Sequence, residues 1–265
     1  MIYAITGGTK GIGRSTADIL RGQGHEVVVI DIDGGDINGD IGNKTDRERI
    51  IREIHERYPN GIDGLVANAG IAFAQNASIS YVLRVNYFGA IEIIQGLFDL
   101  LEKKRGTVAV TVSGSIGYTH AGRPRYYIDD LLTNCGDEER ICKFVDDYDA
   151  ALITGVLYPS SKRALARWVR RISASWATRG VIINAVAPGG VDTTIIPNMK
   201  SNREQFELNT LSMPMPAIYY AEDLMQPSDI GGTLAFMVTP AARGNCGAII
   251  YCDSGCVALL STERL

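Results

Sequence analysis

Tyr158 and Lys162 lie four positions apart in Tyr158-Pro159-Ser160-Ser161-Lys162. On a helix that spacing puts both side chains on one face. An ammonium beside a phenol favours the phenolate and draws a tyrosine below its usual value of about 10. A phenol tuned in this way can take a proton from an alcohol or return one to a carbonyl oxygen. The spacing alone also fits a solvated helix face, so its meaning depends on what surrounds the pair.

A second cluster opens the chain. Thr6-Gly7-Gly8-Thr9-Lys10-Gly11-Ile12-Gly13 follows the apolar run Ile2-Tyr3-Ala4-Ile5 and precedes a helical pattern. Gly7, Gly11 and Gly13 permit a tight turn. They also let the backbone of Thr9, Lys10 and Ile12 approach a pyrophosphate at the positive end of a helix. Asp31 ends the next apolar run, Val27-Val28-Val29-Ile30, 18 residues beyond Gly13. A carboxylate there accepts from ribose hydroxyls and repels a 2′-phosphate. Lys10 could instead pair with that phosphate. Asp31 weighs more because it meets the ribose directly, so NAD(H) is expected over NADP(H). Asp40 and Ile41, closing a third strand, are expected at the adenine.

The elements that must carry these groups alternate. Strands are expected at 1–6, 25–31, 64–67, 107–112, 181–186 and 246–252. Helices are expected at 12–23, 45–58, 79–103, 158–179 and 228–238. Such alternation predicts an α/β fold of about seven strands: a doubly wound parallel sheet with helices on both faces, in one domain over residues 1–265. Strands buried on both sides explain the unbroken apolar runs. A polar, aromatic segment at about 117–157 interrupts the rhythm just before Tyr158. In it Ile141, Phe144, Val145 and Tyr148 recur at helical spacing, which predicts a surface helical insertion at the substrate mouth or an interface.

Composition narrows the function classes. Hydrophobic residues make up 46% and charged residues 21% of the 265. The formal net charge is −4 and the isoelectric point about 5.5, which argues against nucleic acid or an anionic membrane as partner. No apolar run reaches spanning length. The first apolar run is short and enters a glycine turn, so a strand is expected rather than a signal peptide, and a cytoplasmic protein. The five cysteines lack paired metal spacing and are expected as reduced thiols. The three histidines are scattered, and no metal site is expected.

With these motifs in order, the chain resembles the short-chain dehydrogenase/reductase family over nearly its whole length. The glycine loop has the family's Thr-Gly-x-x-x-Gly-x-Gly spacing. Ala67-Asn68-Ala69-Gly70 matches its Asn-Asn-Ala-Gly motif, with Ala67 in place of the first Asn. Asn86 matches the helix asparagine, Tyr158 and Lys162 the catalytic pair, and Pro188-Gly189 with Thr193 the nicotinamide segment. Asp253-Ser254-Gly255 stands where Asp-Gly-Gly is usual. The resemblance implies a Rossmann-type three-layer fold and reversible hydride transfer between a secondary alcohol and NAD. Tyr158 would be the acid/base. Lys162 would hold the nicotinamide ribose, and Asn86 a relay water. Asn68, Ala69, Gly70, Val191 and Thr193 would line the cofactor.

A serine should donate to the substrate oxygen. Ser113 and Ser115 both qualify in Val112-Ser113-Gly114-Ser115. Ser115 is expected to face the pocket, with Ser113 structural. Within the family the long insertion and Asn86-Tyr87-Phe88-Gly89-Ala90 are similar to bacterial hydroxysteroid dehydrogenases. That likeness implies a small hydrophobic alcohol or ketone substrate and a homodimer or homotetramer, with the usual dimer face remodelled by the insertion. An apolar lid is expected at 194–226, from Met213-Pro214-Met215-Pro216 and Tyr219-Tyr220. Two other readings stand beside this one: a reductase of quinones, aromatic or sugar-derived ketones, and a catalytically silent NAD(H)-binding scaffold.

Overall fold

The computed structural model describes residues 1–74, 77–117, 125–193 and 224–260. Its centre is one parallel sheet of seven strands: β1 (Ile2–Thr6), β2 (Glu26–Asp31), β3 (Ile37–Asn38), β4 (Gly64–Ala67), β5 (Thr107–Thr111), β6 (Ile182–Pro188) and β7 (Ile249–Cys252). The strand order is β3-β2-β1-β4-β5-β6-β7. The order reverses beside β1, so the carboxyl ends of β1 and β4 open a crevice between diverging connections. The expected α/β class, strand number and parallel pairing all hold.

The helices fill both faces. On one lie α1 (Gly11–Gly22) and α8 (Pro227–Val238), and Leu20, Ile230 and Leu234 are fully buried there with Tyr3 and Ile5. The other face carries α2 (Lys44–Arg57), α3 (residues 81–96), α4 (Phe98–Lys104) and α7 (Ala150–Thr178), with Ile50, Leu83, Ile93, Leu165 and Val169 in the core. A short helix, α9 (Cys256–Leu260), follows β7.

Four expectations need correction. The helix expected at 79–103 is interrupted twice. Within α3, residues Arg84–Gly89 form a π-helical turn, and at Leu97 the chain leaves helical geometry before α4. Gly89 closes the π turn against the β3–α2 connection. A Cβ there would stand 2.3 Å from the Ile41 carbonyl. The helix that carries Tyr158 and Lys162 begins at Ala150 instead of Tyr158, because Pro159 sits inside α7 without breaking it. Proline gives up the hydrogen bond to the carbonyl four residues back and its ring crowds that carbonyl, yet the helix continues through it. The last strand starts at Ile249. Before it, Gly247 adopts φ +68°, and the buried Asn184 side chain bonds the Asn245 carbonyl at 2.9 Å and the Ala248 amide at 2.9 Å.

The insertion is the fourth. It holds α5 (Arg125–Cys135) and α6 (Glu138–Asp146), and it is part of the core rather than a surface appendage. Ile128, Leu132, Ile141, Cys142 and Val145 are buried in the larger cluster, while Tyr148 remains exposed. Arg47 of α2, fully buried, meets Glu92 at 3.2 Å and Glu138 at 2.8 Å. Arg84 joins Glu138 and Glu139 at 3.0 and 2.9 Å. On the α5 side, Arg163 pairs with the buried Asp129 at 3.1 Å, and the Tyr87 hydroxyl donates to the Leu132 carbonyl at 2.8 Å. Buried ion pairs fix register more than they add stability. Here they lock the insertion onto α2, α3 and α7.

All five cysteines are free thiols. Among the described residues no helix is long and apolar enough to cross a membrane, and no cluster of metal-ligating side chains occurs. The expected lid falls almost wholly on 194–223, outside the described residues.

Candidate active site

A cleft of about 530 Å³ opens at the carboxyl ends of β1, β2, β4, β5 and β6. Its floor is built by backbone proximity. Gly7 has φ +68°, and a Cβ there would lie 2.8 Å from the Ala69 backbone. At Gly13 a Cβ would lie 2.0 Å from the Gly7 carbonyl and 2.6 Å from Asn68 Nδ2. Asn68 stitches three strand ends together. Its Nδ2 donates to the Gly7 carbonyl at 3.0 Å, its Oδ1 accepts from Thr111 Oγ1 at 3.1 Å, and its amide donates to Thr6 Oγ1 at 3.1 Å. Side chains larger than hydrogen would close this cradle, which fits a ligand that needs the backbone.

Two carboxylates mark one end. Asp31 Oδ2 accepts from the Thr9 amide at 3.0 Å and from Thr9 Oγ1 at 2.7 Å, and Oδ1 accepts from the Ile32 amide at 2.8 Å. Asp40 Oδ2 accepts from the Tyr81 hydroxyl at 2.8 Å, and Oδ1 from the Gly42 amide at 2.7 Å. Burial, then the Asp40 carboxylate, push the Tyr81 phenol upward. Ile32, Ile41 and Val85 line the wall between them.

The other end holds Tyr158 and Lys162. Lys162 is buried, and its ammonium donates to the Thr111 carbonyl at 3.0 Å. A Cβ on Gly70 would stand 3.0 Å from both Lys162 Nζ and Asn86 Oδ1. Asn86 is itself fully buried in the π turn. It accepts from the Ile71 amide at 2.9 Å and donates to the Ile71 carbonyl at 2.8 Å. It also donates to Ser161 Oγ at 3.3 Å, and Ser161 in turn donates to the Tyr158 carbonyl at 2.7 Å. The asparagine thus ties the 68–71 loop to the helix that carries Tyr158 and Lys162.

Two electrostatic findings amend the sequence reading. Burial lowers Lys162 to about 8. Tyr158 is raised above its ordinary value by burial, with a hydrogen bond to Ser113 acting in the opposite direction. The expected pull of Lys162 on the phenol does not prevail in the protein alone, because removing both groups from water disfavours both charged forms. The serines are also reversed. Ser113 lines the cleft and bonds Tyr158. The Ser115 hydroxyl is buried away from the cleft, with no hydrogen bond among the described residues. Ser115 lies in a tight 3₁₀ turn at Gly114–Gly117, and its amide donates back to Ser113 Oγ at 3.2 Å.

The other expected residues sort simply. Gly7, Thr9, Lys10, Gly11, Ile12, Asp31, Asp40, Ile41, Asn68, Ala69, Gly70, Pro188, Gly189, Val191 and Thr193 line the cleft with Tyr158 and Lys162. Gly13 and Asn86 stand behind its wall. Thr193 bridges the two sides, its methyl 3.2 Å from where a Gly11 Cβ would be. Tyr81, Val85, Ile32 and Thr111 also belong to the site. Ile32 and Val85 come with their chain neighbours Asp31 and Asn86, whereas Tyr81 and Thr111 arrive through tertiary contact with Asp40 and Asn68.

The short chain dehydrogenase family profile matches residues 2–127, and that described as enoyl-(acyl carrier protein) reductase matches 149–257. This chain belongs to the short-chain dehydrogenase/reductase family. It is an oxidoreductase of the class that acts on alcohols and carbonyls. Its relatives include the 3-alpha-hydroxysteroid dehydrogenase/carbonyl reductase of Comamonas testosteroni, 29% identical over 98% of this chain and 97% of the relative. The galactitol 2-dehydrogenase (L-tagatose-forming) of Cereibacter sphaeroides is 27% identical over 95% and 93%. Among solved structures, the 3-alpha-hydroxysteroid dehydrogenase from Pseudomonas sp. B-0831 complexed with NADH matches with a TM-score of 0.87. It is 27% identical and covers 100% of both chains.

Proposed function

We propose that this enzyme interconverts a secondary alcohol and a ketone with NAD(H), and that its substrates are 3α-hydroxysteroids or bile acids. The observation that carries the reading is the joining of two ends in one cleft: a glycine-built cradle closing on Asp31, and half-buried Tyr158 with buried Lys162 at the opposite end. The NADH complex of the Pseudomonas relative supports the cofactor. The hydroxysteroid relatives, aligned over nearly the full chain, support the substrate class. Ile71 and Val112 give the mouth beside Tyr158 an apolar lining suited to a bulky hydrocarbon.

When bound, the nicotinamide supplies the hydride acceptor or donor and, oxidised, a positive charge. The protein manages position and protons. Ser113 donates to the substrate oxygen and orients it on Tyr158. In oxidation Tyr158 takes the hydroxyl proton; in reduction it returns one. Bringing its phenol near pH 7 from about 10 needs roughly 4 kcal/mol of preference for phenolate, beyond what burial removes. Lys162, charged, supplies part of that and reaches the ribose side of the cleft. Asn86 holds the Ile71 backbone and Ser161, which keeps Lys162 and Tyr158 in register.

The test is a 340 nm screen of the purified protein with NAD and NADP against 3α-hydroxysteroids, bile acids, simple secondary alcohols and polyols. NAD with a 3α-hydroxysteroid is expected to give the highest kcat/KM. Preference for a polyol would sink the substrate class. Equal kcat/KM for the two cofactors would sink the NAD assignment, and silence across the panel would sink the enzyme reading.

A further inference from the structure

Asp31 has more than a charge to offer. Its two oxygens already accept three hydrogen bonds, and two come from one residue. Thr9 donates its amide at 3.0 Å and its hydroxyl at 2.7 Å to Oδ2, while Ile32 donates its amide to Oδ1 at 2.8 Å. Thr9 lies inside the glycine loop, 22 residues from Asp31, so the pairing joins the β1–α1 turn to the end of β2. Gly34, at φ +72°, leaves the Thr9 methyl unhindered, since even an added Cβ there would come no nearer to it than an ordinary contact of 3.8 Å. Both side chains line the cleft.

A free aspartate could rotate off a 2′-phosphate at the cost of a rotamer change. A clamped one must also break a charge-assisted hydrogen bond, which is a stronger barrier. Lys10, the next residue in the loop, is an exposed cation on the same cleft. It would reward NADP as soon as the carboxylate moved. The loop therefore carries two opposed elements, and the geometry points to Thr9 as the residue that decides between them. We propose that Thr9 is a positioning residue for cofactor selection: its hydroxyl pins Asp31 in the space a 2′-phosphate would need and keeps Lys10 from recruiting that phosphate. This rests on the NAD reading and deepens it.

Calorimetric dissociation constants of NAD and NADP test the proposal without turnover. Thr9→Val keeps the amide donor, removes the hydroxyl and puts a methyl against the carboxylate. The NADP-to-NAD ratio of dissociation constants should fall about tenfold, the size of one charge-assisted hydrogen bond, chiefly by tighter NADP binding. Thr9→Ser restores the hydroxyl and should restore the ratio. Thr9→Val/Lys10→Ala should lose the NADP gain. A ratio unchanged in Thr9→Val, or equally collapsed in Thr9→Ser, overturns the clamp while leaving the NAD reading intact. A wild-type ratio near one overturns the NAD reading, and the clamp with it. If Thr9→Val does not fold, Thr9→Ala gives the same comparison with less bulk.

Discussion

The two ends of the cleft solve opposite problems. At the end proposed for the adenosine the polar groups are satisfied before any ligand arrives. Asp31 is held by Thr9 and Ile32, and Asp40 by Tyr81 and Gly42. At the chemical end the groups are kept short of partners. Lys162 is 3% exposed, and its one hydrogen bond among the described residues goes to a neutral carbonyl. Tyr158 has Ser113. In the proposed function, recognition falls to groups whose geometry is fixed in advance, while proton transfer falls to groups whose charge is held at a cost. Specificity and reactivity should therefore fail separately.

The largest separation is expected in Tyr158→Phe. Turnover should fall at least about 1000-fold, at the upper range for loss of a general acid/base. The dissociation constant for NADH, read by its fluorescence, should stay within about threefold. A comparable loss of NADH affinity would mean that the two ends are one cooperative unit, and the contrast would be void.

Next come the serines. Ser113→Ala should lower kcat by roughly 100-fold, as for removal of an oxyanion donor. Ser115→Ala should change it by less than about threefold, because its hydroxyl is buried and Ser115 does not line the cleft. The opposite ranking would show that the loop rearranges around substrate and that Ser115 is the donor.

Lys162 tests the energetic side of the contrast. Its folded value of about 8 lies below the unfolded value of 10.5. The unfolded chain therefore holds the extra proton between those values, and stability rises with pH across that window. Below about pH 8 the cost is fully present. Lys162→Met removes it and should raise stability at pH 7 by about 1–3 kcal/mol in denaturant titrations while ending turnover. The gain should shrink as pH rises from 8 toward 10.5. A variant less stable than wild type at pH 7 would show that the ammonium is a structural tie.

What the sequence could and could not convey divides along the same line. The glycine loop, Asn68, Asp31 and the Tyr158–Lys162 spacing were legible because backbone chemistry demands those residues at those intervals. The alternation of strands and helices was legible for a similar reason, since the burial of each strand on both faces writes itself as an apolar run. The serine was not legible, because which of two hydroxyls two residues apart lines the cleft depends on the 3₁₀ turn at Gly114–Gly117. Nor was the insertion's depth. Its apolar stripe at Ile141 and Val145 was visible, but the buried Arg47 that receives Glu138 lies 91 residues away. The phenol's direction was missed because proximity of an ammonium is local, whereas desolvation is a property of the whole fold.

The smallest effect, and the finest test of the contrast, belongs to Tyr81. No motif points to it, yet its hydroxyl holds Asp40 at 2.8 Å, and a Cβ on Gly42 would lie 2.6 Å from its ring. Tyr81→Phe keeps the ring and removes one donor to a partly buried carboxylate. Asp40 retains the Gly42 amide, so the loss should be one hydrogen bond's worth of preorganisation. That corresponds to a rise of about fivefold in the dissociation constant for NAD, by calorimetry. Because the adenosine end does not touch the proton path, kcat should stay within about twofold. ADP, which lacks the nicotinamide half, should weaken by the same factor as NAD. If ADP were unaffected while NAD weakened, the phenol would act on the far end of the cleft, and the division between the two ends would have to be redrawn through α3.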